Sequence, residues 1–205
     1  MVNTYENRLT FTIQNKSGVD VTDFFNIVQT TGKIEITKRN VQIETASTSA
    51  MYNGLNIEHK EIASSTGLLP GHSVVVLSDT NTNKINVGLH DNVLTVKIID
   101  EEGNAVTGNY NITYKYGIIE VTKRPITVES TSGTYIYNGS KINHLDFIIS
   151  SSLDLAATDK VEVLKHTDIV NVGSVKNVIE IKILNRTTGD DCSNNYEISY
   201  KYGTI

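Results

Sequence analysis

The chain is built from short stretches in which apolar and polar residues alternate. Leu94, Val96 and Ile98 alternate with polar residues, and the same pattern recurs at 179–183 and at 9–13. A period of two that places apolar side chains on one face is typical of a half-buried β-strand. The pattern therefore predicts a mainly β protein.

Turn signals separate these stretches. Each alternating run is followed by a polar segment that contains glycine, at 15–20, 100–105 and 185–191, and then by another alternating run. Two such runs around a short glycine turn predict a β-hairpin. The runs VVVL at 74–77 and VEVL at 161–164 predict further strands.

A YNG triplet occurs twice and predicts a tight turn, because Asn-Gly tolerates a positive φ. The only helical candidate is the stretch at 62–72 with its counterpart at 151–160, which could hold one or two helical turns. A Pro-Gly pair at 70–71 would end it. The triplets consist of Tyr52, Asn53 and Gly54, and of Tyr137, Asn138 and Gly139.

The sequence repeats itself. "TKRPITVESTSGTYIYNG" at 122–139 matches "TKRNVQIETASTSAMYNG" 85 residues earlier, and "NYNITYKYGII" from Asn109 recurs as "NYEISYKYGTI" from Asn195. Self-similarity of this kind is the signature of a repeat architecture. The predicted domains are the C-terminal part of a preceding repeat (1–36, the first copy), a complete module (37–121, the middle copy) and a nearly complete module (122–205, the last copy). We expect a segment of a longer array.

Each full copy is predicted to be a module of five to seven predominantly antiparallel strands. An immunoglobulin-like β-sandwich is preferred, and a β-grasp-like fold with a short helix is the alternative. Between two modules "GIIEV" continues into "PITVE" with only "TKR" between them. A linker this short, stiffened by Pro125, restricts bending, so the repeat is predicted to extend the molecule.

Composition narrows the function classes. Hydrophobic residues make up 39% and charged residues 20% of 205 residues, which is typical of a globular protein. A net charge of −5 disfavours nucleic acid and anionic membrane as partners. No apolar run approaches the roughly 20 residues that cross a bilayer, so no membrane insertion is expected. Cys192, aligned with valines in the other copies, is interpreted as a core thiol.

Signals for catalysis, metals and cofactors are weak, and none of these functions is predicted. The chain has no G-x-S-x-G, H-E-x-x-H, Walker or G-x-G-x-x-G motif. His59 and His144 occupy equivalent positions, but a metal site needs three or four converging donors. The acidic turn around Asp100 is replaced by other residues in the other copies, so an ordinary solvated turn is preferred to a calcium site.

The tyrosines give the candidate contact residues. Tyr110 and Tyr196 align with Phe25, so this position is predicted to be a core aromatic. A second set aligns between the middle and last copies but is replaced by Gln29 and Thr31 in the first. Two tyrosines on one strand could contact an adjoining module, which is preferred, or stack on a ligand such as a sugar. These candidates are Tyr114, Tyr116, Tyr200 and Tyr202.

The repeat resembles a known family. "NYNITYKYGIIEVTKRPITV", followed by YNG and later by VG ahead of an alternating strand, is similar to the tandem MBG or YDG-type repeats of bacterial, mainly Gram-positive, cell-surface proteins. The triplet here is Tyr-Asn-Gly. The resemblance implies a secreted, cell-wall-associated, adhesin-like stalk without catalysis or cofactor, whose candidate partners are neighbouring repeats and a host glycoprotein or glycan. A mucin-binding module and an accessory region of a secreted carbohydrate-active enzyme are the alternatives.

Overall fold

The computed structural model describes residues 3–79, 83–149 and 153–205. This part of the chain consists of short β-strands and three 3₁₀ turns (Thr22–Phe24, Thr107–Asn109 and Ser193–Asn195), which confirms the predicted mainly β fold. The strands are β1 (Asn3–Asn7), β2 (Gly32–Ile36), β3 (Arg39–Thr45), β4 (Thr48–Met51), β5 (Ile62–Thr66), β6 (Ser73–Asp79), β7 (Gly88–Asp91), β8 (Leu94–Ile99), β9 (Tyr110–Lys115), β10 (Ile118–Thr122), β11 (Arg124–Ser130), β12 (Ile142–Asn143), β13 (Phe147–Ile149), β14 (Asp159–His166), β15 (Asp168–Ile169), β16 (Ile179–Asn185) and β17 (Tyr196–Lys201).

The strands form several small sheets. Their orders are β1-β2, β5-β3-β9, β6-β8, β4-β10-β7, β13-β11-β17, β14-β16 and β12-β15. Strand β10 runs parallel to β4, and β11 runs parallel to β17. The β1-β2, β10-β7, β11-β13, β12-β15 and β14-β16 pairs are antiparallel. Five of these seven strand pairs are therefore antiparallel.

The predicted hairpins around the glycine turns are wrong. Strand β16 pairs with β14, whereas β17, on the other side of the turn, pairs with β11 in another sheet. A single bridge, Leu184 with Asp191, joins the two sides of that turn, and the 3₁₀ turn follows it. Alternation shows which face of a strand is buried, but it does not show which strand lies beside it.

The helical candidate at 62–72 is also wrong. Its first part is the strand β5, and the rest of it turns at Gly67 and Gly71, which have φ of +91° and +79°. Such left-handed residues are incompatible with a right-handed helix. In the counterpart, residues 151–152 lie outside the described residues and 153–158 form no helix. The described chain therefore lacks the helix of the β-grasp alternative.

The chain divides into two compact units. The first unit contains Met1–Ile43, Ser65–Val75 and Val96–Tyr114, and the second contains Glu44–Ser64, Val76–Thr95 and Lys115–Ile205. The second unit thus combines the whole last copy with three segments of the middle copy, at 44–64, 76–95 and 115–121. The domain boundaries derived from the repeat remain a prediction.

The core of the second unit lies between strands of two sheets. Strand β11 contributes Ile126 and Val128, and strand β16 contributes Ile179, Ile181 and Ile183. Their polar neighbours in the sequence are not part of this core, as the alternating pattern predicts. Burying one such side chain contributes about 1.5–3 kcal/mol to folding. The two sheets therefore pack as a sandwich around this core.

The first unit buries fewer side chains. Val41, Ile43, Val96, Ile98 and Tyr110 are buried in it. In contrast, every residue of β1 and β2 is exposed, and the apolar side chains of Leu9, Phe11, Phe24, Phe25 and Val28 are also exposed.

A buried polar contact joins the edges of the core in the last copy. The Ser130 hydroxyl donates to the Asn177 carbonyl at 2.6 Å, and the Asn177 amide donates to the Thr131 carbonyl at 3.0 Å. Thr45 and Asn92 make the corresponding contacts in the middle copy, at 2.7 and 2.8 Å. These bonds satisfy backbone carbonyls that the sheets leave unpaired.

Candidate functional site

The candidate site is a buried contact that we call the tyrosine socket. It is formed by Ala156, Asp159, Cys192 and Tyr196 of the last copy, and Tyr52 of the middle copy inserts into it. All five residues belong to the second unit.

Local structure places Tyr52 at the socket. Its N–H donates to the Thr122 carbonyl at 2.9 Å, so the residue after β4 stays attached to β10. The chain then turns at Gly54, which has a φ of +79°, while the Leu55 N–H donates to the Asn53 side chain at 2.8 Å. This turn directs the chain away and leaves the tyrosine ring in the core.

Two phenols share one carboxylate oxygen in the socket. The hydroxyls of Tyr52 and Tyr196 donate to Asp159 Oδ2 at 2.9 and 2.7 Å. The second oxygen, Oδ1, accepts from the Thr158 hydroxyl at 2.8 Å. The two rings meet edge to face, with centroids 5.4 Å apart at 74°. Asp159 is fully buried, so the hydrogen bonds from the two tyrosines and from Thr158 compensate for the loss of its hydration.

The environment keeps both phenols protonated. Burial, together with the Asp159 carboxylate, raises the pKa of Tyr52 and of Tyr196 far above the ordinary value of 10.0. Burial also raises the pKa of the Cys192 thiol. Each of the three groups therefore holds its proton at neutral pH. The chemistry of the socket is hydrogen-bond donation and packing.

Arg124 fixes the backbone on both sides of the socket. Its Nε donates to the Asp154 carbonyl at 2.6 Å, and its Nη1 donates to the Tyr52 carbonyl at 3.4 Å. Gly54 approaches Thr158 so closely that a side chain at Gly54 would overlap the Thr158 hydroxyl. The YNG turn and the loop before β14 are thus held in contact.

A second polar contact lies beside the socket. Asn195 is buried, and its Oδ1 accepts from the Val87 N–H at 2.9 Å while its Nδ2 donates to Asn86 Oδ1 at 2.9 Å. Val87, Ile57 and Ile85 pack against the same core. The last copy therefore binds the middle copy through two separate side chains, Asp159 and Asn195.

The middle copy has an equivalent site with different exposure. Tyr110 Oη lies 2.7 Å from His72 Nδ1 and accepts from the Leu69 N–H at 3.3 Å, as Tyr196 pairs with Asp159 and with the Ala156 N–H. Leu69 is 43% exposed, whereas Ala156 is 4% exposed. In the described residues no YNG tyrosine covers this equivalent site.

The candidate contact tyrosines lie elsewhere. Tyr200 and Tyr202 stack with centroids 5.9 Å apart at 7°, and Lys176 Nζ lies 4.3 Å from the centre of the Tyr202 ring. Tyr200 packs against the core of the second unit. Tyr114 is half-buried and Tyr116 is exposed. Their role in an interface or in ligand contact stays a prediction.

The two YNG triplets differ in their surroundings. Gly54 and Gly139 have nearly equal φ angles of +79° and +75°, but Tyr52 is 1% exposed and Tyr137 is 59% exposed. Sequence reasoning treated Tyr52 as a turn residue and missed its ring. The repeated triplet was the available signal, because a turn needs Asn-Gly but does not need a tyrosine before it.

Other candidates for chemistry do not converge. Within residues 3–79, 83–149 and 153–205 no three His, Cys, Asp or Glu side chains come together as metal ligands. His144 is hydrogen-bonded to the hydroxyls of Thr131 and Tyr135, both at 2.7 Å. None of the helical turns in the described chain is long and apolar enough to cross a membrane.

Comparison with known proteins identifies no relative. No family model, no curated protein and no solved structure matches this chain.

Proposed function

We propose that the chain is a non-catalytic tandem-repeat segment of a bacterial surface protein that acts as a stalk or adhesive module. The observation that carries the proposal is the insertion of Tyr52 from the middle copy into the socket of the last copy. Residues of one repeat become part of the core of the next. A contact of this kind restricts bending between neighbouring modules, which an extended stalk requires.

Two attachments join the copies. One is covalent and short, since β10 ends at Thr122 and β11 begins at Arg124. The other is the pair of contacts at Asp159 and Asn195. A single linker leaves rotation free, whereas a second attachment away from the linker restricts it. The resemblance to MBG or YDG-type repeats supports location at the cell surface or cell wall.

Small-angle scattering tests the stalk. A compact protein of this length has a radius of gyration of about 17 Å. We expect a clearly larger value for the wild type. We also expect a broader distribution of distances for Tyr52→Ala than for Tyr137→Ala, which removes the exposed counterpart. A radius near that of a compact protein would contradict the proposal.

An adhesive role would require a ligand, and a glycan or mucin is the alternative assignment. Tyr116 favours it, since this aromatic ring is 41% exposed. A glycan array tests the assignment with the wild type and with a variant in which Tyr114 and Tyr116 are both replaced by alanine. Binding that is lost in the variant supports the adhesive role, and equal signals contradict it.

A further inference from the structure

The last copy joins its first strand to its last strand by a parallel ladder. Strand β11 pairs with β17 without a break in register, from Arg124 opposite Tyr196 to Glu129 opposite Lys201. The inter-strand hydrogen bonds of a parallel pair are evenly spaced along the two strands. The two strands that connect this copy to the rest of the chain are therefore bound directly to each other.

The middle copy contains a parallel ladder of the same kind. Strand β4 pairs with β10, from Thr48 opposite Ile119 to Met51 opposite Thr122. The Tyr52 N–H extends this ladder by donating to the Thr122 carbonyl at 2.9 Å. Strand β10 is also the strand that leads into β11. A parallel pairing of an early strand with a late strand is thus a feature of both copies.

An ion pair between an early and a late strand recurs as well. Lys201 Nζ lies 4.0 Å from Glu129 Oε2 across the ladder of the last copy. Lys115 Nζ lies 2.6 Å from Glu44 Oε1 at the corresponding positions of the middle copy. Exposed pairs of this kind add little to folding stability. Their recurrence shows that the same alignment of early and late strands is kept in both copies.

The core covers one face of the ladder in the last copy. Ile126 and Val128 of β11 are buried, and Ile198 and Tyr200 of β17 pack against the same core. Strand β13 flanks β11 on its other edge, so β11 lies between two strands. Hydrogen bonds that are shielded from water are stronger than exposed ones. The backbone bonds between β11 and β17 therefore lie in a well-packed part of the second unit.

The direction of these strands decides how tension acts on them. Tension along the chain reaches the last copy through Lys123, ahead of β11, and leaves it beyond Lys201, at the end of β17. In a parallel pair these two points lie at opposite ends of the ladder. Tension therefore pulls the strands past each other along their axes and loads all of their hydrogen bonds together. In an antiparallel pair both points would lie at one end, and the bonds would break one after another.

We propose that these parallel ladders are mechanical clamps that keep each repeat folded when the chain is pulled along its length. The inference rests on the proposed function, because a stalk at a cell surface is the kind of protein that tension acts on. Forced unfolding is governed by the rate of unfolding, so the barrier formed by the clamp matters more than equilibrium stability. The antiparallel β14-β16 ladder lies between the two loaded strands in sequence and takes no direct load until the clamp yields.

Optical tweezers test the proposal on the full chain through two directions of pulling. Cys192→Val removes the native thiol, and valine occupies the aligned position in the other copies. In this background Lys123→Cys with Lys201→Cys attaches handles at opposite ends of the ladder. Lys123→Cys with Glu197→Cys attaches both handles at the same end, where the strands are peeled apart. All three attachment residues are exposed, so the two chains should have equal stability in urea.

We expect the opposite-end attachment to unfold at a severalfold higher force than the same-end attachment at the same pulling speed. Replacing Lys201 also removes the ion pair with Glu129, so any loss from the substitution acts against this result. Equal forces, or a higher force in the same-end attachment, would overturn the proposal. A difference in force that only follows a difference in urea stability would overturn it too.

The wild-type chain, held by tags at its two termini, provides a measurement that needs no substitution. Both ladders are then loaded along their strands, and we expect forces as high as in the opposite-end attachment. Unfolding at the low force of the same-end attachment would contradict the clamp. The scattering experiment tests the stalk independently, since an extended chain that yields at low force would retain the stalk and lose the clamp. A compact chain with a strong dependence on pulling direction would do the reverse.

Discussion

The Tyr52 hydroxyl and the Asp159 carboxylate are 107 residues apart in the sequence and share a buried hydrogen bond of 2.9 Å. The bond joins one sequence repeat to the next inside a single core. The second compact unit accordingly contains segments of the middle copy as well as the whole last copy. The period of the sequence and the extent of the folded core are therefore different properties of this chain.

Replacing Tyr52 with alanine should destabilise the second unit. The change removes a buried aromatic ring and one donor to Asp159, and comparable truncations cost about 3–5 kcal/mol. Tyr137→Ala is the matched control, because it removes the same residue from the same triplet where the ring is exposed. We expect a change within about 0.5 kcal/mol for the control. Urea denaturation at low protein concentration measures both values.

Equal losses in the two variants would contradict this prediction. They would mean that the tyrosine acts within its own turn and not through the socket.

Alkaline pH should weaken the socket. The pKa values of Tyr52 and Tyr196 are raised in the folded chain, so the unfolded chain releases these protons first. The stabilisation is fully present below the unfolded pKa of about 10 and is lost as the pH rises above it. Each phenol contributes a loss of about 1.4 kcal/mol between pH 9 and pH 11.

The variant Tyr52→Phe isolates this contribution. At pH 7 it should be less stable than the wild type by about 1.5–3 kcal/mol, because a hydrogen bond to a charged group is lost. At pH 11 that difference should shrink by about 1.4 kcal/mol, since the variant has one titrating phenol fewer. Denaturation curves at both pH values provide the check, and a difference that is unchanged or larger at pH 11 would refute the linkage.

The sequence predicted most of the strands but not their neighbours, and the alternating run at 9–13, predicted as a half-buried strand, forms no strand. Alternation at Ile179, Ile181 and Ile183 identified β16 and its buried face, because the period of side chains along a strand is a local property. The partner of β16 is β14, and sequence position suggested β17 instead. Pairing is decided by distant segments, so the local pattern does not contain it.

The same limit applies to the socket. The repeat indicated that the position shared by Tyr110, Tyr196 and Phe25 is a core aromatic. Both tyrosine rings are buried, whereas Phe25 is 54% exposed, so the prediction is wrong for the first copy. Asp159 was missed because the middle copy has His72 at the equivalent position. The residue type is not repeated there, so comparison of the copies did not identify it. Asn92 and Asn177 do recur at the period of 85 and form the buried polar contacts. Recurrence at this period therefore identifies buried polar positions as well as buried apolar ones.

Gly203 should tolerate no side chain. A Cβ atom there would collide with the backbone of Thr131 and Ser132, which cannot move away as a side chain would. We expect Gly203→Ala to cost about 1–3 kcal/mol or more through overpacking. Gly173→Ala in the same copy is the control, since nothing lies within 4 Å of a Cβ there. Thermal denaturation distinguishes the two variants. Equal midpoint temperatures would show that the backbone at 131–132 moves aside to accommodate the new side chain.

Cys192 offers a direct measure of socket opening. It is the single cysteine of the chain, it is 7% exposed, and its side chain belongs to the same core as Tyr52. A thiol reagent can reach the sulfur only when the core opens. The raised pKa of the buried thiol also lowers the reactive thiolate fraction, which slows the reaction further. Tyr52→Ala should accelerate labelling by about 100-fold or more, in line with a loss of about 3 kcal/mol, while Tyr137→Ala leaves the rate unchanged. Wild-type labelling as fast as in urea would show that the socket is open in the folded chain.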